Sequence, residues 1–188
     1  NLYASALFED DAIVYSGSLD GEERGVFRMN LDGSNAKKIY HTEALLLAAD
    51  DGVLAIGDYD AGQLVLITEG GQEVGRVDGY FDMAAVDDGV FYVNNQAVTV
   101  KGGKVEAKEL FDVGEGNEWY ISPIEVEDGY VYYYDSSKYG AVSAVEGSGH
   151  VAALCRMNVK TGEHQTISPE GTTFLGIEDG QIFYTRED

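Results

Sequence analysis

The chain has 188 residues, in which 12 Lys and Arg face 34 Asp and Glu for a formal charge of −22. That balance excludes nucleic acid and anionic lipid surfaces as partners, because neither would meet a basic stripe able to release counterions. The longest apolar runs are strand-sized, short of the roughly 18 residues a membrane helix needs, so no membrane insertion by this segment is expected.

Five acidic pairs divide the chain: Asp10-Asp11, Asp50-Asp51, Asp87-Asp88, Glu127-Asp128 and Glu178-Asp179. Four are followed by Gly and the first by Ala12, at intervals of 40, 37, 40 and 51 residues. This is close to the period of roughly 40 to 50 residues that four-stranded propeller blades require. An Asp-Gly pair between two apolar runs signals a tight hairpin, since Gly tolerates a positive φ and the Asp carboxylate accepts bonds from nearby backbone N–H groups. With 24 Gly, 2 Pro and no amphipathic stretch of helical length, the class is all-β.

The first repeat, 3–42, holds strands at 4–8, 13–16, 26–29 and 37–40. A polar loop carrying Gly17, Asp20, Gly21 and Gly25 separates the second from the third, and Leu31-Asp32-Gly33-Ser34-Asn35 turns the third into the fourth. The second repeat, 43–78, places Asp51-Gly52 in its first hairpin, a loop at 57–62 and Gly70-Gly71 in its last turn. In the third, 79–113, Asn94-Asn95 replaces the long loop and Gly102-Gly103 supplies the closing turn.

The fourth repeat, 114–168, carries an insertion at 136–149 and a third strand at 154–158. Its Arg156-Met157-Asn158 repeats Arg28-Met29-Asn30 of the first. The fifth, 169–188, has only two strands, at 174–177 and 182–185. The reading is therefore a single β-propeller domain or propeller fragment over 1–188, with about four and a half blades of four antiparallel strands. The half blade predicts an open seam, covered by additional blades or by a partner chain. Chain order puts the Asp-Gly turns on one face with the turns joining strands three and four. The loops joining strands two and three share the other face with the links between blades, and that variable face is where binding is expected.

The segment Val26-Phe27-Arg28-Met29-Asn30-Leu31-Asp32-Gly33-Ser34-Asn35-Ala36-Lys37-Lys38-Ile39 resembles the blade ending of the YWTD propellers of low-density-lipoprotein-receptor-type proteins. Ile182-Phe183-Tyr184-Thr185 and Val131-Tyr132-Tyr133-Tyr134-Asp135 resemble the tetrapeptide that names that family. The whole chain is similar to bacterial propeller domains described as resembling lipoprotein-receptor-related proteins. The resemblance implies an exported or surface-anchored protein with an extracellular or cell-envelope location, any export signal lying upstream of Asn1.

Cys155 is the sole cysteine and reads as a small buried apolar group. His41, His150 and His164 have no spacing that suggests a catalytic dyad or a metal site. Asp58-Tyr59-Asp60 could hold calcium through oxygen ligands but lacks the distal Glu of a complete loop, so the expectation is no cofactor. Asp82, Glu125 and Glu43 are the carboxylates available for glycosidase-like chemistry in a channel, the alternative reading. The preferred reading is a non-catalytic module that binds protein or carbohydrate through Asp58, Tyr59, Asp60, Trp119 and Tyr139, because aromatic rings beside carboxylates join apolar area to polar tips. Tyr80 and Tyr120, in one column with Tyr3, read as packing between blades.

Overall fold

The computed structural model describes residues 6–8, 12–18, 24–41, 44–114, 120–137, 152–169, 172–178 and 180–186. Among them there is no α-helix, and no helix is long and apolar enough to cross a membrane. The protein is all-β, made of consecutive four-stranded antiparallel blades followed by a two-stranded one.

The first blade is β1 (Ala6–Phe8), β2 (Ala12–Gly17), β3 (Gly25–Asn30) and β4 (Lys37–His41). The second is β5 (Ala44–Asp50), β6 (Val53–Asp58), β7 (Gln63–Thr68) and β8 (Glu73–Asp78). The third is β9 (Ala85–Asp87), β10 (Val90–Val93), β11 (Gln96–Lys101) and β12 (Lys104–Glu109). The fourth is β13 (Ile121–Glu127), β14 (Tyr130–Asp135), β15 (Ala153–Asn158) and β16 (His164–Ser168). The last pair is β17 (Thr172–Glu178) with β18 (Gln181–Arg186), on which Leu175, Phe183 and Tyr184 are exposed. Within every blade, strands pair in chain order. The chain divides into two compact units, one of residues 1–82, 88–91 and 98–107, the other of residues 83–87, 92–97 and 108–188.

Burial follows from strand position. The first strand of the second blade alternates, burying Ala44, Leu46 and Ala48, whereas its middle strands are buried without a break over 54–58 and 64–67. A strand covered on both faces is apolar on both, which is why β6 and β7 read as continuous apolar runs. Val14, Val26, Leu46, Leu54, Ile56, Val65 and Ile67 belong to one apolar core joining the first two blades. The fourth strands β8 and β12 bury no residue fully; β12 is mostly exposed and polar, while β8 alternates exposed charged residues with half-buried ones.

Asp51 and Gly52, Asp88 and Gly89, and Asp128 and Gly129 have positive φ values of 46° and 74°, 47° and 72°, and 51° and 77°. Two successive positive φ values are what a tight hairpin turn matching the strand twist demands, and Asp followed by Gly supplies them at low steric cost. The acidic residue before one of these pairs also ties two repeats together, since Asp50 Oδ2 accepts a 2.7 Å bond from the Gly89 N–H of the next repeat's turn. The Glu69 N–H also donates to Gly52 O and the Val159 N–H to Gly129 O, so each of these two Asp-Gly turns lies beside the turn that joins strands three and four.

Two irregularities recur that alternation alone did not reveal. In β5, β13 and β17 the register slips past Leu47, Ile124 and Leu175, each four residues before the turn aspartate. In β4, β8 and β16 it slips past Ile39, Val74 and Ile167. An extra residue bends its strand and increases the local twist, so the same bend is built into corresponding places of several blades.

Candidate functional site

The loop of the second blade, residues 59–62, is shaped by where Asp58 points. Asp58 is only 7% exposed, and both of its oxygens are engaged. Oδ1 accepts from the Ala61 N–H at 3.0 Å and Oδ2 from the Tyr40 hydroxyl at 2.9 Å. Burial pushes the Tyr40 hydroxyl up to about 12, with the hydrogen bond to Asp58 adding to the shift.

With Asp58 turned inward, Tyr59 is turned out. Its hydroxyl donates to Asp82 Oδ1 at 2.9 Å, reaching across to the link that follows β8. That link is pinned twice. The Gly79 N–H donates to Gly62 O at 2.9 Å, and Phe81 is buried at 2% exposure. A Cβ on Gly57 would lie 2.7 Å from Phe81 O, so β6 lets the link approach only because residue 57 is Gly. Around the buried Phe81 the chain bends, and Tyr80 and Asp82 on either side of it are exposed. Tyr80 is 65% exposed, and its ring lies against Gly62, whose absent Cβ would come within 3.4 Å of Tyr80 Cζ.

The result is a surface of exposed Tyr59, Tyr80, Asp60 and Asp82, edged by a polar chain. In that chain Gln63 Nε2 donates to Asp78 at 2.7 Å, Arg76 donates to Gln63 Oε1 at 3.0 Å, and Arg76 also grips both oxygens of Glu73. The guanidinium holds the Glu73 carboxyl below its ordinary value. Such a surface offers aromatic area with polar tips in fixed positions, which suits recognition of a partner. Among the described residues no group of three His, Cys, Asp or Glu could hold a metal ion.

Of the residues expected to bind, Asp58, Tyr59 and Asp60 share this loop, but the Asp58 carboxylate faces inward while Tyr59 and Asp60 face solvent. Trp119 and Tyr139, with Glu43 and Tyr3, lie outside the described residues. Tyr80 corrects the expectation of packing between blades: Phe81 takes the buried place and leaves Tyr80 exposed. Tyr120 is half-buried and its carbonyl accepts from Ser136. Glu125 is exposed on β13 and Asp82 is held by Tyr59. Sequence reasoning missed Tyr40 and Arg76; the one signal for Tyr40 was a Tyr closing a polar outer strand.

No protein-family model matches the chain, and no curated protein matches it. Among solved structures, a chain of a nidogen/laminin complex is similar at a TM-score of 0.53 and 12% identity, covering 85% of this chain. This chain spans 60% of the length of that one. The likeness is one of fold.

Proposed function

We propose that the chain is a non-catalytic recognition module that binds a protein partner through the surface of Tyr59, Tyr80, Asp60 and Asp82. The observation that carries this reading is Tyr80, a large ring 65% exposed yet seated on Gly62 and fixed beside an anchored Phe81. A ring held in place loses little freedom on binding, which is why tyrosines so often dominate interface energetics. The carboxylates favour a partner with basic residues. The similar solved chain comes from a nidogen/laminin complex, an assembly of two proteins, which supports protein over carbohydrate. Trp119 and Tyr139 are kept as further candidate binding residues, and an exported or surface-anchored parent protein fits the lipoprotein-receptor-like repeats.

Peptide and glycan arrays probed with wild type, Tyr59→Ala, Tyr80→Ala, Trp119→Ala and Tyr139→Ala test the reading. Basic peptides are expected to bind, with Tyr80→Ala losing at least about ten-fold in affinity, the range of an interface tyrosine, while keeping the wild-type melting temperature. Array signals unchanged in both Tyr59→Ala and Tyr80→Ala would refute the surface. Glycoside hydrolysis abolished by Glu125→Gln would move the assignment to an enzyme.

A further inference from the structure

A second feature, in the fourth blade, has no part in the surface above. Tyr133 pairs across strands with Cys155, Cys155 with Thr166, and Asp135 with Ile121. Cross-strand partners share a face, so these side chains line one side of the sheet. Opposite them runs the segment Phe111-Asp112-Val113, and the cleft between holds about 360 Å³, within the range of small-ligand sites. The segment is fixed from behind by Asn95, which is 2% exposed: its Nδ2 donates to Phe111 O at 2.8 Å and its backbone carbonyl accepts from the Leu110 N–H at 2.8 Å.

Three rings make a corner in this cleft. Phe111 meets His164 edge to face at 4.5 Å and 75°, lies 5.7 Å from Tyr133, and His164 stands at 89° to Tyr133. The Tyr133 hydroxyl and His164 Nδ1 are 2.9 Å apart. Burial lowers the His164 pKa, which favours the neutral ring, and the ring's tautomer sets which of the two groups donates. The lining also carries Asp112 and Asp135, and among the described residues none lining it is Lys or Arg. Carboxylates abound on this acidic chain; what sets the cleft apart is the aromatic corner enclosed with them. Ring faces and carboxylates attract the same ligand, a positive charge on an apolar body.

We propose that this cleft binds an organic cation, an alkylammonium or alkylguanidinium group, with its apolar part in the corner of Phe111, Tyr133 and His164 and its charge toward Asp112 and Asp135. The group could belong to a free amine or to a Lys or Arg side chain of a peptide, and the probes separate these sources. Tetramethylammonium, butylammonium and butylguanidinium are titrated into the intact chain beside tert-butanol, a neutral body of similar size, and the His164 ring resonances are followed by NMR. Saturable shifts with the cations and none with tert-butanol are expected. Preference for tetramethylammonium assigns a quaternary amine, and where butylammonium or butylguanidinium is preferred, tighter binding of the same group in a Lys or Arg peptide than as the free amine assigns a peptide side chain.

The Asp112→Asn/Asp135→Asn double variant is expected to bind at least ten-fold more weakly. Phe111→Leu, which keeps the cleft apolar, is expected to lose the cation preference, and Glu106→Gln, outside the cleft, to bind as wild type. A bound cation should also move the His164 titration to lower pH, because two positive charges then share the cleft with Asp112, Asp135, Tyr133 and Cys155. Equal shifts with tert-butanol, no saturation with any cation, or unchanged binding in a folded double variant would overturn the proposal.

Discussion

Tyr40→Phe removes one oxygen and leaves every apolar contact of the ring in place. The Asp58 carboxylate is 7% exposed, so its Oδ2 loses the Tyr40 donor where water has little access, while Oδ1 keeps the Ala61 N–H. A hydrogen bond to a charged group contributes about 1.5–3 kcal/mol, and a loss of about 2 kcal/mol is expected at pH 7. For a chain of this size that is a fall of about 4–8 °C in melting temperature. The pH dependence has a definite sign. The folded pKa of Tyr40, about 12, lies above its ordinary value of 10.0, so the folded state holds this proton more tightly than the unfolded chain. The contribution is complete below pH 10 and is lost as pH rises through about 12. Urea unfolding followed by circular dichroism between pH 7 and pH 12 should show the wild-type advantage shrinking over that window. Adding Asp58→Asn to Tyr40→Phe should cost less than the separate losses combined. A Tyr40→Phe loss below about 0.5 kcal/mol, the scatter expected of an inconsequential substitution, would falsify the inward role of Asp58.

Gly57→Ala places a methyl group 2.7 Å from the Phe81 carbonyl oxygen, a backbone atom that cannot rotate away; a loss of about 1–3 kcal/mol by urea midpoint is expected, with weaker peptide binding at Tyr80. Asp50→Ala leaves the Gly89 N–H without its carboxylate acceptor, so faster hydrogen exchange at Gly89 and a loss of about 1–3 kcal/mol should follow, and unchanged exchange would refute the link between repeats. Gly129→Ala forces a Cβ onto a residue at φ +77° with nothing within 4 Å to clash, so its expected cost of about 1–2 kcal/mol is purely one of backbone conformation, and an equally stable variant would contradict the turn assignment.

The blades were legible because their turns are written in residue chemistry. Asp followed by Gly meets a demand for two successive positive φ values that few other pairs meet, and the structure places those values at 51–52, 88–89 and 128–129. The recurrent bulges were not legible, since Leu47, Ile39 and Val74 are apolar residues within strands and nothing in their identity marks an extra residue. At the candidate site the loop could be found but not the direction of its side chains. Tyr80 and Phe81 are adjacent aromatics, and only the close approach of Phe81 to Gly57 decides which is buried. The cleft was hidden for a different reason. Tyr133, Cys155 and His164 are far apart in the chain, so no spacing motif contains them, and only the register of β14, β15 and β16 brings them together.

The acidity of the chain also takes on a more specific meaning. A solubilising role predicts carboxylates that face water and touch nothing, yet many of them here accept hydrogen bonds at defined places. Asp32 accepts from the Ser34 N–H, Asp112 from the Gly114 N–H and Asp135 from the Ser137 N–H, while Asp50 serves the turn of a neighbouring repeat. In a fold of short strands and tight turns, many backbone N–H groups fall outside the strand ladders and need acceptors. A short acidic side chain two residues back meets that need locally, and the Ser34 side chain first and its N–H second hold the Asp32 carboxyl below its ordinary value. That contribution is present above the ordinary carboxylate range and lost as pH falls through the lowered one. The same residues that keep the chain negative therefore fix its turns, and Asp58, the most buried among the described ones, orients the loop that presents Tyr59.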